Sequence, residues 1–129
     1  MKFARIVFLI AGIWGVLVIT PLFFLFRTIG VQDPPPITHA GFYYGFATTA
    51  LAWQIAFFVI ASDPSRFRAL MIPSALEKFG YCTVVIVLFL QSRIRATDLI
   101  FAGTDVILGV LFLAAFSACK RERLSAAGG

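Results

Sequence analysis

Charge is scarce in this sequence. Asp, Glu, Lys and Arg together occupy 13% of 129 positions, about half of what a soluble domain carries, so a water-exposed surface would have too little polar cover. Histidine occurs once, as His39, and cysteine twice, as Cys82 and Cys119, with no CxxC pair. That leaves a zinc or other metal site without its usual ligands, and a disulfide framework without loop cysteines to build it. A glycine-rich phosphate loop is missing, as is a nucleophile paired with a base, so the residues call for no cofactor, no metal and no catalytic group. Period-two alternation of apolar and polar residues is absent too, which excludes a transmembrane barrel. Internal repeats and low-complexity tracts are lacking.

Hydrophobic residues fill the gap. They make up 60% of the chain, fifteen of them Phe, and the mean hydropathy is +0.95. A chain of this length has too little interior to hide them all from water, so lipid is expected to cover the rest. Four apolar stretches, approximately 4–26, 41–61, 69–90 and 98–119, each match the ~20 residues that a helix needs to cross a hydrocarbon core. Inside lipid their backbone groups are satisfied only within helices. The expected fold is therefore all-α, a polytopic membrane protein built as a single antiparallel four-helix domain over residues 1–129.

The connections set these limits. Residues 27–40 contain Gly30, Asp33 and Pro34-Pro35-Pro36, which no helix traverses. Ser62-Asp63-Pro64-Ser65 breaks the second span, and Thr97 or Asp98 is placed to cap the fourth. The first apolar run is longer than the ~7–15 residues of a signal-peptide core and is kept as a membrane helix.

Basic residues cluster at the span ends and are read as topology signals, with no nucleic-acid partner implied. Lys2, Arg5, Arg66, Arg68, Lys120, Arg121 and Arg123 fall on one side, and Arg27, Arg93 and Arg95 on the other. The positive-inside rule then puts both termini in the cytoplasm and Tyr43 and Tyr44 at the outer interface. Small residues (Gly41 and Gly45, Ala52 and Ala56, Ala11 and Gly15) are expected to let helices of the same chain pack closely, a spacing that would equally serve a homo-oligomer. His39 reads as an exposed interface residue, and Trp14 and Trp53 as packing residues.

The informative residues are the few that hydrocarbon disfavours: Gln54, Glu77, Lys78 and Asp105. A charge at the centre of a membrane helix costs about 2.5 to 3.5 kcal/mol on translocon scales, so such groups face inward and pair. A rise of 1.5 Å per residue puts Gln54, Glu77 and Lys78 about 10 to 13 Å from the cytoplasmic edge and Asp105 about 18 Å from it. Side-chain length spans the difference, which makes a Lys78–Asp105 pair geometrically feasible with Glu77 and Gln54 nearby and Thr48, Thr49 and Thr104 bordering. Tyr81, a turn beyond Glu77 and Lys78, extends the polar stripe. Gly109, four residues after Asp105, leaves room there for another helix or for a ligand. An alternative places Pro73 in the first turn of its helix, with Glu77 and Lys78 only ~6 to 8 Å inside and Lys78 snorkelling to the surface.

The run from Phe42-Tyr43-Tyr44-Gly45 through Leu51-Ala52-Trp53-Gln54 to Leu76-Glu77-Lys78, followed by Asp105 and Gly109, resembles the small bacterial four-helix membrane proteins of the DoxX-like type. This resemblance covers most of the chain and implies an architecture in the inner membrane, not an activity. The expected role is a non-enzymatic bundle that binds membrane lipid or a hydrophobic small molecule, or docks a membrane protein partner, through its polar layer. The competing expectation is a proton-coupled carrier or membrane-embedded enzyme using Glu77 or Asp105.

Overall fold

The computed structural model describes residues 2–129, and among them the regular structure is entirely helical. Helix α1 spans Lys2–Ile19, a short α2 spans Phe26–Gln32, α3 spans Ala40–Ser62, α4 spans Met71–Leu90 and α5 spans Asp98–Ala127. Four segments, Lys2–Phe23, Ala40–Ser62, Arg68–Leu90 and Asp98–Ala127, are long and apolar enough to cross a membrane. The fold is a four-helix membrane bundle with a fifth, short helix in the first connection.

That fifth helix corrects the expected boundaries. Pro21 has no amide hydrogen and its ring disfavours a continuing α-helix, so α1 ends at Ile19 and the chain tightens into a 3₁₀ turn over Thr20–Phe23. Residues 26–32, expected as the end of a span and the start of a loop, then form α2. An aromatic cluster fastens this segment to the start of α3: Phe26 lies 5.0 Å from Tyr43 and 5.4 Å from Tyr44, ring centre to ring centre. The Tyr43 hydroxyl donates to the Leu22 carbonyl at 2.6 Å, satisfying an acceptor that the broken helix leaves free.

At the other helix ends the local causes are equally plain. Pro73 sits in the first turn of α4, where an amide hydrogen is not needed. The same helix ends with the Ser92 amide donating to the Phe89 carbonyl and the Arg93 amide to the Leu88 carbonyl, both at 2.9 Å. Those two bonds make a Schellman motif, and its left-handed position, φ 56°, is filled by Ser92 instead of glycine. Thr97 precedes α5 in a helical conformation without a side-chain capping bond, so the expected capping role is not met by Thr97. Helix α5 outruns its predicted end at 119 and continues to Ala127, because Lys120, Arg121 and Arg123 stop a membrane span without stopping a helix.

α1 packs along α3, α4 packs along α5, and α1 also packs against α5, while α3 and α4 touch more sparsely. The centre is aromatic. Phe8 of α1 stacks on Phe112 of α5 at 4.3 Å, and Phe57 of α3 meets both edge-on at 5.9 and 5.0 Å, with all three rings fully buried. Outside, large apolar side chains such as Leu17, Ile55, Leu76, Val84, Ile107 and Leu113 are exposed. In water such a surface would drive association; in lipid it is the ordinary outer face of a membrane bundle.

Glycine packing follows a different map from the one spacing suggests. A side-chain carbon built on Gly41 or Gly45 meets nothing within 4 Å, and Ala52 is exposed, so this stripe of α3 faces outward. Gly12 instead receives Phe58, 2.7 Å from such a carbon, and Gly15 receives Gln54. Both close α1 onto α3, and Ala11 is buried beside them. Trp53 packs on the core as expected, whereas Trp14 is exposed on the outer face of α1.

Candidate functional site

Helices α4 and α5 bring three charged side chains to one point. The Lys78 ammonium nitrogen lies 3.2 Å from Glu77 Oε2 and 3.4 Å from Asp105 Oδ1. Adjacent residues on a helix point about 100° apart, and here that angle lets Lys78 turn into the bundle while Glu77 stays near its edge. The side chains are 7% exposed for Lys78, 14% for Asp105 and 23% for Glu77. Asp105 stands about 10 Å inside the start of α5 and Lys78 about 18 Å from the far end of α4. Both are well within a ~30 Å hydrocarbon core.

Lys78 does not snorkel. Its stem is buried, and its ammonium sits 5.4 Å from the Phe57 ring centre, a cation–π distance. The charged cluster therefore abuts the aromatic core, so residues from all four long helices converge on this level: Phe8, Phe57, Lys78 and Phe112. One ammonium serves two carboxylates, at separations longer than the ~2.7–2.9 Å of a tight charge-assisted hydrogen bond. Glu77 Oε2 is sealed from solvent and has no hydrogen bond that satisfies it. The exposure of Glu77 lies elsewhere on its side chain.

Other predicted members of the layer go elsewhere. Gln54 is 2% exposed, yet it turns towards Gly15 of α1. Its amide nitrogen donates to the Ala50 carbonyl of its own helix at 2.8 Å, and its Oε1 is buried without a partner. Tyr81, half-buried, stacks on Phe46 of α3 at 6.4 Å and covers the small cluster of Cys82, Val85 and Ala102. Thr48 and Thr49 stand on the exposed side of α3, and the Thr104 hydroxyl donates to the Ile100 carbonyl of its own helix. The space expected beside Gly109 is taken by a neighbouring helix: Phe79 of α4 lies 2.8 Å from where a side-chain carbon would stand.

Two basic residues read from the sequence only as topology signals complete the frame. Arg68 donates to the Phe116 carbonyl at 2.9 Å and lies 3.5 Å over the Phe116 ring, pinning the start of α4 to α5 on the side where α1 begins and α5 ends. On the opposite face Arg95 pairs with Asp33 at 3.2 Å, joining the two connections there. His39 is exposed and lies edge-on to Phe42. Among the described residues no group of three or more His, Cys, Asp or Glu is placed to hold a metal ion. Comparison of the chain with family models, with curated proteins and with solved structures finds no match to any of them.

Proposed function

We propose that this chain is a non-catalytic, accessory membrane protein that uses the Glu77–Lys78–Asp105 cluster to bind a partner membrane subunit or an amphiphile lying along the α4–α5 seam. One observation carries the reading: two carboxylates share one ammonium at membrane depth, and the acid at the edge of the bundle is the more exposed. Ionised groups in hydrocarbon are held by pairing, and a cluster with an unmatched acid is suited to an occupant that approaches from the lipid side. Phe79 fills the space over Gly109, which favours docking at the edge over enclosure of a small molecule. The basic residues at the ends of α1 and α5 support an inner-membrane orientation with both termini cytoplasmic. The DoxX-like resemblance agrees with this setting.

Native mass spectrometry from lipid-retaining membranes tests the role. Asp105→Ala and Asp105→Asn are expected to lose bound lipid or partner relative to the parent chain; unchanged occupancy in both removes it.

The same charge imbalance favours one second reading, a proton-coupled carrier in which Glu77 or Asp105 takes up the missing positive charge as a proton. Uptake into liposomes that responds to an imposed pH gradient, and is lost in Glu77→Gln, is its expected signature. No response to the gradient, with Glu77→Gln behaving as the parent, removes it.

A further inference from the structure

We propose that the occupant of the α4–α5 edge is a transmembrane helix of a different protein, carrying a single Lys or Arg at the depth of Glu77. This rests on the binding role above and specifies its chemistry.

Charge is the first ground. Glu77 and Asp105 flank Lys78 at 3.2 and 3.4 Å, so with its three groups ionised the cluster is one positive charge short. Shape is the second. Gly80, three residues after Glu77 and therefore on its side of the helix, is exposed, and a side-chain carbon built on it meets nothing within 4 Å. A glycine notch beside an acid lets a second backbone come close enough for a side chain to reach the carboxylate. Leu76 and Val84, both exposed, give that approaching helix an apolar margin.

The chain's own composition excludes a second copy as the source of the cation. Of its eleven Lys and Arg residues, only Lys78 stands deep within a span, and it is already held between the two acids. The others lie at span ends or in the connections: Lys2 and Arg5 open α1, Arg27 is in α2, Arg66 and Arg68 precede α4, Arg93 and Arg95 precede α5, and Lys120, Arg121 and Arg123 close it. A homodimer across this face would oppose two acid-rich clusters without bringing a new positive charge to their level.

The test uses designed helices as probes. The full chain, fluorescently labelled, is reconstituted in neutral phosphatidylcholine vesicles with a leucine helix of about 20 residues that carries one Lys at the matching depth. Energy transfer is compared with that of an all-leucine helix and of a helix whose Lys is moved to its end. Expected is about tenfold stronger association of the matched-Lys helix, lost in Glu77→Gln and absent for the end-placed Lys. Equal association of the three helices overturns the proposal, and so does a Lys preference that survives Glu77→Gln. Occupation of the acid by a proton, or of the face by a second copy, gives that equal outcome. Because the probe comparison is made on the unaltered chain, misfolding of a variant cannot mimic it. Asp105 variants that lose native occupancy while the three helices associate equally would leave the binding role standing and remove only the cationic helix.

Discussion

Gln54 on α3 and Lys78 on α4 are both buried polar side chains near the middle of the bundle, and each is accommodated by different means. The amide keeps within its own helix, donating to Ala50 and laying its other end against Gly15. The ammonium reaches across to α5 and lies between two acids. The contrast follows from magnitude: an amide with one unmet acceptor costs about 1 to 3 kcal/mol, whereas an unpaired buried charge costs several kcal/mol. A neutral polar residue can thus be accommodated by local packing. A charge dictates which helices must meet, and here it ties α4 to α5.

The largest test of that contrast is Lys78→Met, which strands two carboxylates in the seam. It is expected to destabilise the protein by about 3 to 5 kcal/mol, read from reversible unfolding in bicelles. Gly15→Ala probes the other side of the comparison, since the added methyl meets the Gln54 side chain; a loss of about 1 to 3 kcal/mol is expected from overpacking. Gly45→Ala, with open space around it, serves as its control and should stabilise the helix by about 0.5 to 1 kcal/mol through alanine's higher helix preference. Ser92→Gly lies outside both regions and should raise stability by about 1 kcal/mol by relieving the left-handed backbone. Gln54→Leu comes last: it removes an unmet acceptor together with a bond inside one helix, and a change below about 1 kcal/mol is expected. A Gln54→Leu loss as large as that of Lys78→Met would erase the distinction between the two sites.

The span count was legible in the sequence because lipid thickness sets a length that apolar runs display directly. Depth was legible too, and counting 1.5 Å per residue placed Lys78 within reach of Asp105. What counting cannot supply is direction around a helix axis. Gln54 was assigned to the charged layer but faces α1, and Gly41 and Gly45 have the spacing of a packing stripe yet face outward. Pro21 was visible as a helix breaker inside the first apolar run, but hydropathy alone carried the span through it, so α2 was missed. Phe57, which borders the charged cluster, and Phe79, which fills the space over Gly109, were hidden among fifteen phenylalanines.

A thermodynamic cycle on the charged cluster reaches the core of this description most directly. Unfolding free energies are to be measured in one lipid mixture for the parent chain, for Lys78→Met, and for the triple variant Lys78→Met, Glu77→Gln, Asp105→Asn. Three buried charges that depend on one another predict that the triple variant recovers most of what the single one loses, to within about 1 kcal/mol of the parent. A Lys78→Met protein as stable as the parent, or a triple variant no better than Lys78→Met, would show that the three side chains do not form a buried, mutually dependent group.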